Sequence, residues 1–120
     1  QRHYFWQRVE HGGQLPPDCS IDKVRSFAEG IVDNVLTNMD AIDQRIAGAA
    51  ENWALGRMSA IDRNILRVAA CELLYTRNVP PVTAVNEAIE LGKEYGDKDS
   101  GRFINGILDK LLQERDRAAE

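Results

Sequence analysis

The sequence predicts an all-α protein, a compact bundle of five to six helices. Three observations carry that expectation: apolar residues recur at steps of three and four, no segment of any length alternates with period two, and the chain breakers cluster at short joints. At 120 residues, 43% of them hydrophobic, the chain suits one compact domain.

The elements follow in order. Residues 2–10, "RHYFWQRVE", read as a short helix with Tyr4, Phe5 and Val9 on one face, and "HGGQLPPD" breaks it with two glycines and two prolines. Ser20 is placed to cap a long helix. Its stripe runs through Ile21, Val24, Ala28, Ile31, Val35, Met39, Ile42, Ile46 and Ala49, with a bend expected near Asn38. "ENWALGRM" is a connector. Ser59 and Asp62 then have the spacing of a capping box, in which hydroxyl and carboxylate each answer an orphan backbone N–H, and the helix they open runs to about Tyr75. Pro80 and Pro81 end that segment and start the next, because proline suits the first helical position and disfavours helix in the residue before it. Val82, Val85, Ile89 and Gly92 mark the inner face of this helix up to a C-terminal cap at Gly96. The last helix starts near Ser100, with Asp99 or Ser100 as its cap, and its apolar positions Phe103, Ile104, Ile107, Leu108, Leu111 and Leu112 recur at helical spacing.

Composition excludes several classes of function. Nineteen acidic against fifteen basic residues give a formal net charge of −4, so nucleic acid has to be held by a local patch and not by a generally cationic surface. Cys19 and Cys71 lie far apart with two histidines in the whole chain, a spacing that fits neither a metal site nor a disulfide framework. No run is long and apolar enough for a membrane span, and no signal-peptide pattern is present, which places the protein in the cytoplasm. There is no nucleophile with an obvious base, no Gly-rich phosphate loop and no metal-ligand box, so catalysis and a cofactor are not expected. The chain begins with Gln1 and not Met, which suggests that something upstream has been removed or left out.

"DKDSGRFING", residues 97–106, is the best candidate for binding. Lys98 and Arg102 are suited to phosphates, with Asp99 between them and Phe103 offering a ring on which an unstacked RNA base can lie. A helix start adds unpaired N–H groups and a positive dipole end. Gly101 and Gly106 each cost about 1 kcal/mol in a helix relative to alanine. They serve either the close approach of another backbone or helix–helix packing. Phe103 is correspondingly either a stacking platform or ordinary core. Asn86 and Asn105 are candidates for a polar link between the last two helices. In "DRNILRVAACELL", residues 62–74, the charges of Asp62, Arg63, Arg67 and Glu72 are expected on the solvated side, where Asp62, Arg67 and Glu72 form a candidate docking surface for a protein partner.

Four ordered stretches, "WALGRM" (53–58), "DRNILRVAACELL" (62–74), "VPPVTAVNEAIELGKEYG" (79–96) and "SGRFINGILDKL" (100–111), resemble the successive motifs of the NusB family. The resemblance implies a non-enzymatic helical fold of two packed subdomains, here about 1–50 and about 53–120. It further implies a role in transcription antitermination. The chain would pair with NusE, a small-subunit ribosomal protein, bind the boxA element of nascent RNA, and join RNA polymerase with other Nus factors to suppress premature termination, notably in ribosomal RNA operons. On matching positions the RNA surface would include Asp99, Arg102 and Phe103, and the NusE-facing surface Arg67 and Glu72 on the helix that begins near Asp62. The family's arginine-rich start and first helix have no counterpart here, so the chain is expected to begin at the second helix, and an apolar face left uncovered in this way would favour a homodimer. Two alternatives remain: an RNA-presenting NusB-like domain of an RNA 5-methylcytosine methyltransferase, and a helical dimerisation module without an RNA role.

Overall fold

A computed structural model describes residues 21–51, 55–76 and 79–119, and every regular element in them is helical. The helix expected over 2–10, the loop after it, the Ser20 cap and Cys19 lie outside the described residues. The chain divides into two compact units, Gln1–Asp33 and Asn34–Glu120. In the first, the described segment is the start of helix α1, Ile21–Thr37. The second unit holds the end of α1, then α2 (Met39–Ala50), a 3-10 turn (Leu55–Arg57), α3 (Ala60–Cys71), a π-helical turn (Glu72–Thr76), α4 (Pro81–Tyr95) and α5 (Ser100–Ala119).

The bend expected near Asn38 is a break between α1 and α2. The Asn38 backbone N–H and its side-chain Nδ2 both donate to the carbonyl of Asn34, at 3.2 and 2.9 Å. A short amide competing for its own helix's carbonyl is the reason asparagine interrupts helices. At the other end of α2, Glu51 takes φ 44°, a left-handed conformation unusual for a residue with a side chain, and its carboxylate receives the Lys110 ammonium of α5.

The core of the second unit gathers Ile42 and Ile46 from α2, Leu66 and Ala70 from α3, Leu73 from the π turn, and Ile104, Leu108 and Leu111 from α5. Each fully buried Leu or Ile contributes roughly 1.5–3 kcal/mol. Helix α5 therefore runs along the centre of the unit. Against it α4 lies very close: a Cβ added at Gly92 would come within 2.7 Å of Ile104 Cδ1, and one at Gly101 within 3.1 Å of Lys93 Cγ. This closeness turns α4 so that Ala84, Ala88 and Gly92 form its buried face. Val82, expected on that face, is 68% exposed, because it stands two residues before Ala84, about 200° round a helix of 3.6 residues per turn from the buried face. Gly96 does cap α4, yet in an extended and not a left-handed conformation. What requires glycine there is space, since its Cβ would meet Ser100 Oγ at 2.2 Å.

The segment expected as plain α-helix to Tyr75 instead widens into the π turn after Cys71. Arg115 from α5 donates through Nη1 to the carbonyl of Leu73 at 3.2 Å, giving a partner to a backbone group that the wider turn exposes. Among the described residues no helix is long and apolar enough to cross a membrane.

Candidate nucleic-acid interface

The start of α5 is organised by Asp97, a residue the sequence reading passed over. Its carboxylate Oδ1 accepts from the Asp99 backbone N–H at 2.9 Å and from the Ser100 hydroxyl at 3.3 Å, while Ser100 Oγ accepts from the Asp97 N–H at 3.0 Å. The cap was expected from Asp99 or Ser100 themselves; Asp97 and the buried Ser100 share it. The signal was present as an aspartate two residues before the next acidic position in "DKDS", the spacing of a side-chain-to-backbone turn. With both groups consumed by the turn, Lys98, Asp99 and Arg102 are left exposed on its outside, and Phe103 is half-buried, one side packed against the core.

Opposite this turn stands the start of α3. Ser59 Oγ accepts from the Asp62 N–H at 3.1 Å, which is one half of the expected capping box. The other half is not made, since Asp62 Oδ1 is buried and has no hydrogen-bond partner among the described residues. Asp62 is 7% exposed, so the expectation that it stands on a solvated face is corrected: at the first turn of α3 it points beneath the α5 turn and not outward. The two helix starts enclose a pocket of about 250 Å³, lined by Arg57, Met58, Ser59 and Asp62 on one side and Asp97, Asp99, Ser100 and Phe103 on the other. Arg57 also escaped the sequence reading. It sits in a connector with no periodicity to reveal which way it faces.

Arg67 is likewise not a freely solvated charge. Its Nε and Nη2 donate to the two carboxylate oxygens of Asp43 on α2, at 2.8 and 2.9 Å, with the side chains 17% and 24% exposed. Donating to the Asp43 carboxylate pushes the guanidinium above its usual value against the opposing effect of burial, so this fork is committed to joining α2 and α3. Glu72 is half-buried; burial, and then the charge of Glu87, push its carboxyl above the usual range. Burial first and Glu72 second push the buried Cys71 thiol up, which leaves it a poor nucleophile. Asn86 and Asn105 are both exposed, and no bond joins them among the described residues, so the polar link between α4 and α5 is not formed.

Gly101 and Gly106 part company. Gly101 is buried in the seam with α4, whereas Gly106 is exposed with nothing within 4 Å of a built Cβ. A second, shallower hollow of about 420 Å³ lies along α4 over Asn86, Glu87, Glu90, Leu91 and Glu94. Its three carboxylates have no cation in the same lining, whereas the three at the α3/α5 corner are offset by Arg57 in the lining and by the exposed Lys98 and Arg102 beside it, which makes that corner the better candidate for RNA. Among the described residues no three His, Cys, Asp or Glu are arranged to hold a metal ion.

Comparison with known proteins agrees with this architecture. The NusB family matches residues 6–113. A transcription antitermination protein NusB of Trichlorobacter lovleyi is 50% identical over 90 residues, covering 75% of this chain and 63% of that protein, so the chain spans somewhat under two thirds of that relative's length. Among solved structures, T. maritima NusB superposes with a TM-score of 0.75 at 29% identity, covering 99% of this chain and 92% of that one. A complex of the antitermination factors NusB and NusE with double-stranded RNA shares the fold at TM-score 0.73 and 24% identity, covering 93% and 79% of the two chains. With all-helical architecture, motif order and family match in agreement, the chain belongs to the NusB family.

Proposed function

We propose that the chain is an RNA-binding transcription antitermination factor that acts by scaffolding and not by catalysis. It holds boxA-type RNA together with NusE and joins RNA polymerase and other Nus factors in the cytoplasm, limiting premature termination, notably in ribosomal RNA operons. The observation that carries this reading is the corner at the start of α5, where Lys98 and Arg102 stand exposed, each next in sequence to a residue that lines the pocket, Asp99 and Phe103 respectively. Cations there position phosphates, and a half-exposed ring holds an unstacked base, the usual means of gripping single-stranded RNA. Asp99 shapes the same mouth. Family membership supports both the RNA and the NusE partner. NusE docks on α3 and the π turn that follows it, where the large apolar Ile61 of α3 is exposed and Glu72 of the turn is half-buried; Arg67 contributes by holding α3 to α2 through Asp43.

The test is a titration of boxA-type RNA across a salt series, with and without NusE. Affinity should fall as salt rises, and Lys98→Ala or Arg102→Ala should each flatten the slope by roughly 0.7, the share of one single-strand phosphate contact. Affinity that ignores salt and both substitutions would overturn the assignment.

A further inference from the structure

The pocket between the starts of α3 and α5 contains a buried carboxylate oxygen that no donor among the described residues answers. Asp62 is more than nine-tenths buried, and its Oδ1 has no donor among the described residues. Leaving a buried acceptor unanswered costs free energy, and alanine or serine would cap or fill the first turn of α3 without that cost. Such a group persists where a ligand supplies the donor.

We infer that this pocket takes an unstacked guanine base, with its Watson–Crick edge turned to the Asp62 carboxylate. This inference rests on the RNA-binding reading above and sharpens it to a base. A carboxylate presents two adjacent acceptors and no donor, so its best partner is a pair of N–H groups side by side. Of the four RNA bases guanine alone carries such a pair on that edge, its N1–H and its exocyclic amine; adenine and cytosine have a single amino group beside an acceptor, and uracil a lone N–H between two acceptors. Phe103 lines the same pocket and supplies the flat face. The volume, about 250 Å³, lies just under the range of about 300–1,000 Å³ typical of small-molecule sites, which is room for one heterocycle. An arginine from a protein partner would also present paired donors, and the NusE arm of the experiment separates it from a base; Arg57 in the same lining suits the phosphate that follows a bound base. Asp97 does not compete for the base, because its Oδ1 is engaged by the Asp99 N–H and the Ser100 hydroxyl.

The experiment measures binding of the full chain to uridine heptamers that differ only at the central position, which is guanine, inosine, adenine or cytosine. Guanine should be preferred by about tenfold or more over adenine, with inosine, which lacks the amine, between them. Asp62→Asn keeps the shape of the side chain and should abolish the preference while retaining the salt-dependent background. A melting curve confirms that the variant is folded. Base-independent binding by the unaltered chain overturns this inference and leaves the RNA reading standing; no binding to any heptamer overturns both. If Asp62→Asn leaves the guanine preference intact and instead weakens capture of NusE, the pocket belongs to a protein side chain and the inference fails.

Discussion

Two places in the second unit take charged groups partly or wholly out of water, and they are handled in opposite ways. At the α2/α3 seam, Asp43 and Arg67 satisfy each other through two hydrogen bonds of 2.8 and 2.9 Å. At the α3/α5 corner, Asp62 is more deeply buried and its Oδ1 is left without a donor. The first arrangement is closed and serves the fold. The second is open, and a buried acceptor left without a donor is what makes this corner the candidate for a ligand. Nearness to the core is therefore a poor guide to role; satisfaction of the polar atoms separates the two sites.

The contrast breaks most visibly if Asp43 is removed. Asp43→Ala leaves the Arg67 fork half-buried without its carboxylate and should cost about 2–4 kcal/mol in urea denaturation. Asp62→Asn should cost nothing or stabilise slightly, and a loss matching that of Asp43→Ala would erase the distinction between the two sites. Next in size is Phe103→Leu, which keeps an apolar side chain against the core and removes the aromatic face. RNA affinity should weaken by roughly 1–3 kcal/mol, while the melting temperature moves little. Phe103→Ala is the less clean variant, because the ring also packs on the core and its loss lowers stability as well. A smaller effect is expected at Gly106, where alanine meets open space on an exposed helical face and should stabilise by up to about 1 kcal/mol. If Gly106→Ala weakens RNA or NusE binding, the open glycine marks a close approach by that partner.

The smallest effect is a pH dependence at Glu72. Its folded carboxyl lies above the usual range, through burial first and Glu87 second, so ionisation is harder in the folded chain than in the unfolded one. The resulting penalty is fully present above the folded value and disappears once pH falls below the unfolded value. Glu72→Gln should therefore stabilise the protein near neutral pH, and the gain should vanish in acid. Melting curves across pH 3–8 would show it, and a gain that stays constant with pH would place the cause elsewhere.

Much of the architecture was legible from local pattern. Apolar steps of three and four, the paired prolines before α4 and the serine before α3 marked elements that the structure contains, because helix periodicity and capping depend on neighbours within a few residues. Resemblance of four ordered motifs pointed to the family in the same way. The π turn was not legible, since it depends on Arg115 reaching Leu73 from forty-two positions away. Nor was the orientation of α4, where a valine looks like a core residue until the seam with α5 proves too tight for it.

Of the candidate corner, the sequence by itself determined the ingredients: a cation and an aromatic at a helix start, flanked by glycines, with charged residues on α3. Only the tertiary structure decided that Asp62 faces Phe103 across a pocket, that Arg67 is taken up by Asp43, and that Gly101 packs while Gly106 opens outward. The physical reason is that burial and hydrogen-bond satisfaction are properties of pairs brought together by folding. A side chain's chemistry is written in its own residue, but whether that chemistry is already spent depends on what the rest of the chain places beside it.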